Sequence, residues 1–355
     1  MEPVKYKVTW KTLLLPIIGL AAFFLYIFIF HVDFFDVISK IQHANAYFYA
    51  LATAATLCDT LFFALAWHSL MGYLSVRISR FRSFLYVWVG IFVDTLIPAE
   101  SVSGEMAKIY LVNKEQDGTA GKATGSIVAQ RLIGMFINIS TLLAGATLLL
   151  LENQLYGIVL TLIFLLVTLT SLFLVLTLLL CVKEKWTMGI VDATIRFVDY
   201  VSGGRWKLSR LREEAKQEAM AFHAAMREYV HAPKTMFTAA IFSIISWMLT
   251  LAVLYLTFLS IGYSQISWSA ILVVSAIFAA AKAIPVGVPF EVGLPEITLT
   301  SLLFMFGVPW DTSATATILM RLLTLWLRFF IGFTAQQWIG VKAITTSTNG
   351  EVTVR

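Results

Sequence analysis

From Tyr156 to Val182 the chain runs without a single Asp, Glu, Lys, Arg or His. A stretch longer than the roughly 20 residues that cross a bilayer as an α-helix is at home only in lipid. No water reaches hydrocarbon to complete backbone hydrogen bonds, so a spanning segment must be a helix or part of a closed barrel. A barrel strand needs only about 9 to 11 residues. The fold class is therefore all-α, a polytopic membrane protein. Composition agrees: 59% hydrophobic and 13% charged residues, with a mean hydropathy of +0.82, leave too little polar surface to cover a water-soluble globule.

Five further runs have crossing length: Leu13 to Phe30, Ala44 to Leu74, Ala123 to Leu151, Thr235 to Ile261 and Thr312 to Trp338. Two other apolar regions are broken near the middle. Residues 83–112 are interrupted at Pro98 and Gly104, and residues 267–308 at Pro285, Gly287, Pro289, Gly293 and Pro295. Loop charge orients the spans. Lys5, Lys7 and Lys11, then Arg77, Arg80 and Arg82, then the basic stretch after Lys183, all belong on the cytoplasmic side. The chain leaves the cytoplasm after Arg82 and is back by Lys114. Residues 83–112 are therefore a re-entrant hairpin, and residues 267–308 a second one entering from the other side. The expected architecture is six full spans plus two re-entrant hairpins arranged as an inverted repeat. Residues 1–182 form the first membrane half and 183–234 an amphipathic cytoplasmic connector. Residues 235–341 form the second half and 342–355 a frayed tail, with both termini cytoplasmic.

Ionisable side chains inside the apolar runs cost about 2.5 to 3.5 kcal/mol each, so each needs a partner or a role. They include Asp59, Asp94, Glu100, Glu105, Lys108, Arg131, Lys282, Glu291, Glu296, Arg321 and Arg328. Arg131 lies about nine residues into its span and Arg321 about ten into its own, roughly 13 to 15 Å at 1.5 Å per residue. From that depth neither reaches a surface, so each should face a carboxylate, a carbonyl or an anionic ligand. The planar guanidinium suits phosphate oxygens. Two readings stay open. Glu105 with Arg131, and Glu296 with Arg321, could pin each hairpin to its span, or the pairs could exchange with a ligand. Broken helices at Pro98, Gly104, Pro285, Gly287 and Gly293 add free N–H groups that attract anions. The expected substrate-binding set is Glu105, Lys108, Arg131, Glu291, Glu296 and Arg321.

Other chemistries find no support. Cys58 and Cys181 cannot build a disulfide framework or a zinc site, and the five histidines form no HExxH pattern. No phosphate-binding loop for ATP occurs. The net charge of +5 reads as membrane orientation, with no nucleic-acid partner and no cofactor.

The stretches "DTLIPAESVSGEMAKIYL" with "SIVAQRLIG", and "IPVGVPFEVGLPEITLTSLLFMFGVP" with "ATILMRLL", resemble the flippase-like family related to the transmembrane region of lysylphosphatidylglycerol synthase. The resemblance runs from about Leu13 to Val341. A P-x5-GE element falls on Pro98, Gly104 and Glu105, and a G-x-x-E element on Gly293 and Glu296. The arginines Arg131 and Arg321 follow. The second tip carries Pro289, Glu291 and Pro295 where the family is richer in glycine. The resemblance implies a multi-pass protein of a prokaryotic plasma membrane that moves lipids with phosphate headgroups between leaflets, with a homo-oligomer among the expected states. The soluble aminoacyl-transferase domain of the full synthases has no counterpart in these residues, so enzyme activity is not expected. The alternatives are a membrane-embedded enzyme acting on a lipid-linked substrate, with Glu105 or Glu296 as base, and a non-catalytic partner of a lipid-modifying or glycosyltransferase complex.

Overall fold

The computed structural model describes residues 28, 34–97, 102–152, 157–202, 209–282 and 293–351, and every regular element among them is helical. The first membrane half contains α1 (Phe34–Gln42), α2 (Ala46–Tyr73), α3 (Arg80–Leu96), α4 (Val102–Glu115), α5 (Ala120–Leu151) and α6 (Gly157–Val182). The connector forms α7 (Glu184–Ser202) and α8 (Ser209–Val230). The second half contains α9 (Pro233–Ser260), α10 (Trp268–Lys282), α11 (Leu294–Met305) and α12 (Trp310–Arg321). A π-helical segment, Leu322–Leu327, then leads into α13 (Arg328–Glu351). Local chemistry sets several boundaries. Asn45 accepts from the Tyr47 N–H and Ser79 from the Arg82 N–H as side-chain N-caps, and Pro233 opens α9 where its missing N–H costs nothing.

Among the described residues five segments are long and apolar enough to cross a bilayer: α2, α5, α6, α9 and the continuous stretch Trp310–Gly340. The chain is a multi-pass, all-α membrane protein. The expected span Leu13 to Phe30 lies outside the described residues apart from Phe28. The helices α3, α4, α10 and α11 are each shorter than the roughly 20 residues that a crossing needs. α3 and α4 form an antiparallel hairpin. Arg82 and Tyr86 at its base both meet Glu115, the tyrosine at 2.5 Å, while Asp94 meets Gly104 near its tip.

The two halves join along α2 and α9, an antiparallel pair in which the Asn45 N–H donates to Ser260 O at 2.6 Å and the Phe62 and Phe242 rings lie 6.0 Å apart. Each hairpin then packs on the other half: α3 lies against α13, and α10 against α5. A glycine permits each approach. A Cβ on Gly145 of α5 would stand 2.6 Å from Val273 Cγ2, and one on Gly332 of α13 only 2.5 Å from Trp88 O. The first hairpin thus leans on the last span and the second on α5.

Two apolar cores occupy opposite ends of the bundle. One gathers Ala52, Leu142, Leu254, Phe258, Ile271 and Leu299; the other gathers Trp67, Leu70, Tyr86, Val112, Ala123 and Ala239. Along α2, α5 and α9 the stretch between them carries Asp59, Thr60, Thr141, Ser243 and Ser246, all buried. The protein therefore holds a polar layer between two greasy ends.

The connector is less solvated than its charge suggests. α8 packs beneath α5, where Gly121 donates to the Glu218 carboxylate and Gly125 leaves room for Ala225. Tyr229 OH donates to Leu70 O at 3.0 Å, and buried His223 to Cys181 O at 3.0 Å. Asp192 binds Arg212 at 2.9 Å and Lys216 at 3.3 Å, tying α7 to α8. Their hydrogen bonds hold its carboxyl below the usual range. At the C-terminus, helix continues to Glu351, so residues 342–351, expected as a frayed tail, prolong α13. Extending a helix that is already nucleated adds a hydrogen bond per residue, and this favours continuation.

The glycine contacts lead to a direct test. Gly332→Ala would press a methyl group onto a backbone carbonyl that cannot swing away, and should cost about 1 to 3 kcal/mol. Gly134→Ala meets nothing within 4 Å and should be neutral or stabilising by up to about 1 kcal/mol. Thermal unfolding in detergent should lower the melting temperature for the first variant only; equal values would contradict the close packing of α3 on α13.

Candidate functional site

In the first hairpin, Asp94 near the end of α3 organises the start of α4. Its Oδ1 accepts from Ser103 Oγ at 2.8 Å and from the Gly104 N–H at 2.6 Å. A carboxylate at a helix N-terminus satisfies N–H groups that have no partner in the helix. Position 104 has no room for a side chain, since a Cβ there would lie 2.3 Å from both Asp94 Oδ2 and Gly90 O. Glu105 follows immediately and turns to α5, where it meets Arg131 at 3.0 Å. One turn on, Lys108 is buried and points elsewhere. Its Nζ sits 5.1 Å from the Trp67 ring centroid and 5.6 Å from that of Phe63, both on α2. That is a cation–π arrangement, which stabilises a charge removed from water.

The second half repeats the device with different details. Gly293 adopts φ +104°, a conformation that disfavours any side chain, and its N–H donates to Glu296 Oε2 at 2.6 Å. Pro295 occupies the first turn of α11, where a missing N–H is harmless. The other oxygen of Glu296 meets Arg321 Nε at 2.6 Å. One turn further along α11, Thr300 donates to Thr317 of α12 at 3.0 Å. Each hairpin therefore starts its second helix with a glycine and a carboxylate, and each carboxylate reaches an arginine on the next span.

The two pairs differ in exposure. Arg131 and Glu105 keep 36% and 23% of their side-chain surface open, whereas Arg321 and Glu296 keep 5% and 6%. Equivalent groups in the two halves thus stand in unequal surroundings, one accessible and one closed.

A third pair joins the halves. Arg328 at the start of α13 binds Asp59 of α2, which also accepts from Ser246 of α9. In a regular α-helix residues seven apart share a face. The wider π turn between Arg321 and Arg328 alters that phase, and the two arginines reach different partners, Glu296 and Asp59. Such π segments recur at functional sites. Both Asp59 and Arg328 are visible in the sequence as charges in apolar runs, but nothing local shows that they pair.

Of the expected binding residues, Glu105, Arg131, Glu296 and Arg321 come together as two pairs, and Lys108 lies beside the first, against aromatic rings. Glu291 lies outside the described residues, as do the expected tip residues Pro98, Pro285 and Gly287, while Gly104 and Gly293 both open helices. Among the described residues no group of three His, Cys, Asp or Glu side chains could hold a metal ion.

The exposure difference predicts unequal costs. Glu296→Gln leaves Arg321 buried without a counter-charge and should destabilise by about 3 to 5 kcal/mol. Glu105→Gln, at a partly open pair, should cost about 1 kcal/mol or less. Unfolding midpoints in mixed micelles measure both; equal losses would contradict the closed and open assignments.

The family described as the lysylphosphatidylglycerol synthase TM region matches residues 16–332. A UPF0104 membrane protein of Pyrococcus horikoshii is 22% identical over 306 residues, covering 83% of this chain and 88% of that protein. One from Methanocaldococcus jannaschii is 21% identical over 337 residues, covering 94% of this chain and 96% of its own length. A third, from Methanothermobacter thermautotrophicus, is 21% identical over 311 residues, or 86% and 89% of the two chains.

Proposed function

The chain belongs to the family of the lysylphosphatidylglycerol synthase TM region, and on that premise we propose that it is a transporter moving an anionic, phosphate-linked lipid between leaflets without ATP hydrolysis. The observation that carries this reading is the unequal exposure of two equivalent carboxylate–arginine pairs. In a carrier built from two inverted halves, access alternates when the halves exchange conformations around a central site. One pair open and one closed is the arrangement expected of a single state in that exchange.

In this mechanism a headgroup phosphate enters from the open side and competes with Glu105 for the guanidinium of Arg131. The displaced carboxylate takes a proton or a cationic group of the lipid. The first pair then closes while the second opens, and Arg321 exchanges Glu296 for the phosphate. Acyl chains remain in lipid throughout, along the apolar outer faces of helices such as α6, where Phe164, Leu172 and Phe173 are exposed. In this reading both termini lie in the cytoplasm of a prokaryotic cell whose plasma membrane holds the protein, an orientation that the basic N-terminal and connector segments support. No covalent bond to the lipid changes, so the activity is transport and not catalysis.

Purified protein in vesicles with headgroup-labelled anionic lipid should speed the label's appearance on the opposite leaflet. Arg131→Ala and Arg321→Ala should each lower that rate at least tenfold. The charge-swapped double variant Glu296→Arg with Arg321→Glu separates ligand exchange from simple pinning. It should restore folding but not transport, whereas restored transport would assign the pair a structural role.

A further inference from the structure

α6 has 26 residues, roughly 39 Å at 1.5 Å per residue, against about 30 Å of hydrocarbon. Its ends therefore stand at the level of the headgroups. Leu172, Val175, Leu179 and Val182 recur at i, i+3, i+7 and i+10, and all four are exposed. A lipid-facing stripe thus runs to the last residue of α6. A single residue, Lys183, separates that end from α7. The Trp186 N–H donates to Lys183 O at 2.9 Å, and Thr187 Oγ1 to Leu180 O at 2.9 Å. These bonds close the corner and hold the first turn of α7 at the end of the span.

α7 is apolar on two faces. Met188, Val191 and Ile195, at i, i+3 and i+7, are partly buried, and the helix packs on α8 and on the end of α6. Trp186, Ile190, Ala193 and Tyr200, at i, i+4, i+7 and i+14, form a second face, and this one is open. Trp186 is 52% exposed and Tyr200 85%. A connector helix in water needs one apolar face, the one that docks on its own bundle; a second calls for a second apolar medium. The open face begins at Trp186, four residues beyond Val182, where the lipid-facing stripe of α6 ends, so the medium that already covers α6 lies beside it. Tryptophan and tyrosine are the side chains that favour the boundary between acyl chains and headgroups. Lys183 and Lys185 flank Trp186 and are exposed, and their long stems carry an ammonium group up to headgroup phosphates.

We propose that α7 is an interfacial helix, its Trp186, Ile190, Ala193 and Tyr200 face seated in the leaflet at which α6 ends. Helices of this kind lie in the plane of the surface with the apolar face about 5 to 10 Å into the headgroup boundary. The seat anchors more than α7. Asp192 holds Arg212 and Lys216 of α8, and the Glu218 carboxylate of α8 accepts from the Gly121 N–H in the first turn of α5. α5 is the span that carries Arg131. The membrane surface thereby fixes the connector, and the connector fixes the end of α5, whatever the protein transports.

The test is spin labelling of the full-length protein in phosphatidylcholine nanodiscs. A lipid without net charge suffices, because Glu184 and Asp192 offset Lys185 and Arg196 along α7. With Cys58 and Cys181 replaced by serine, labels are placed on Ile190→Cys and Ala193→Cys. Phe164→Cys on α6 supplies a lipid reference and Glu213→Cys on α8 a water reference. Power saturation compares collisions with oxygen, which concentrates in lipid, and with a water-soluble nickel chelate. The oxygen-to-nickel ratio at 190 and 193 should exceed that at 213 severalfold and approach that at 164. A ratio equal to that at 213 puts the face in water and overturns the proposal. Labels reached by neither reagent report a face covered by protein, from a second copy or from this chain, and overturn it as well. For the anchoring, Trp186→Ser combined with Ile190→Ser should raise amide hydrogen exchange across α8 severalfold while α2 and α9 stay protected, and Trp186→Phe should exchange as wild type. Exchange in α8 that is unchanged in the double variant, or that rises equally in α2 and α9, overturns the anchoring.

Discussion

Hydrocarbon supplies no hydrogen-bond partner, so the charges and broken helix ends inside this chain have to be answered by one another. Three carboxylate–arginine pairs do so: Glu105 with Arg131, Glu296 with Arg321, and Asp59 with Arg328. The first two fasten each hairpin to the span that follows it. The third crosses between the halves, in the polar layer that separates the two apolar cores. Because every pair bridges different helices, the position of each helix is tied to the state of its ion pair, and a ligand able to replace one partner can move a helix.

Glycines make that coupling mechanical. Gly104 lets α4 begin against α3, and Gly145 and Gly332 let each hairpin lie directly on the span of the opposite half. Close contact of this kind has little slack, since packed interiors shift between discrete arrangements and do not deform continuously. Closing one hairpin on its own span therefore bears on the other half through α3 with α13 and α10 with α5. The unequal exposure of the two hairpin pairs fits a bundle whose halves cannot both be open.

Much of this was legible from residue types and spacing. Apolar runs of span length gave the helices, Gly104 and Gly293 marked the starts of the second hairpin helices, and carboxylates followed at matched distance by Arg131 and Arg321 identified the pairs. Other features were hidden for physical reasons. Asp59 and Arg328 belong to opposite halves, and no local pattern reports a contact made that far along the chain. The π segment has the same apolar composition as its neighbours, so the phase change that separates Arg328 from Arg321 leaves no compositional trace. Lys108 is visible in the sequence as a charge, while the Trp67 and Phe63 rings beside its ammonium are not. The docking of α8 depends on Gly121 and Gly125, small residues whose role appears only when a neighbouring helix is in place.

The central claim is that the two hairpin pairs exchange exposure, and cysteine accessibility measures it most directly. With Cys58 and Cys181 replaced, single cysteines at Ser103, beside the open pair, and at Thr300, beside the closed pair, would be labelled in vesicles with and without the anionic lipid. The account predicts that lipid raises the labelling rate at position 300 as it lowers the rate at position 103. Rates that stay fixed at both positions, with transport still proceeding, would contradict it.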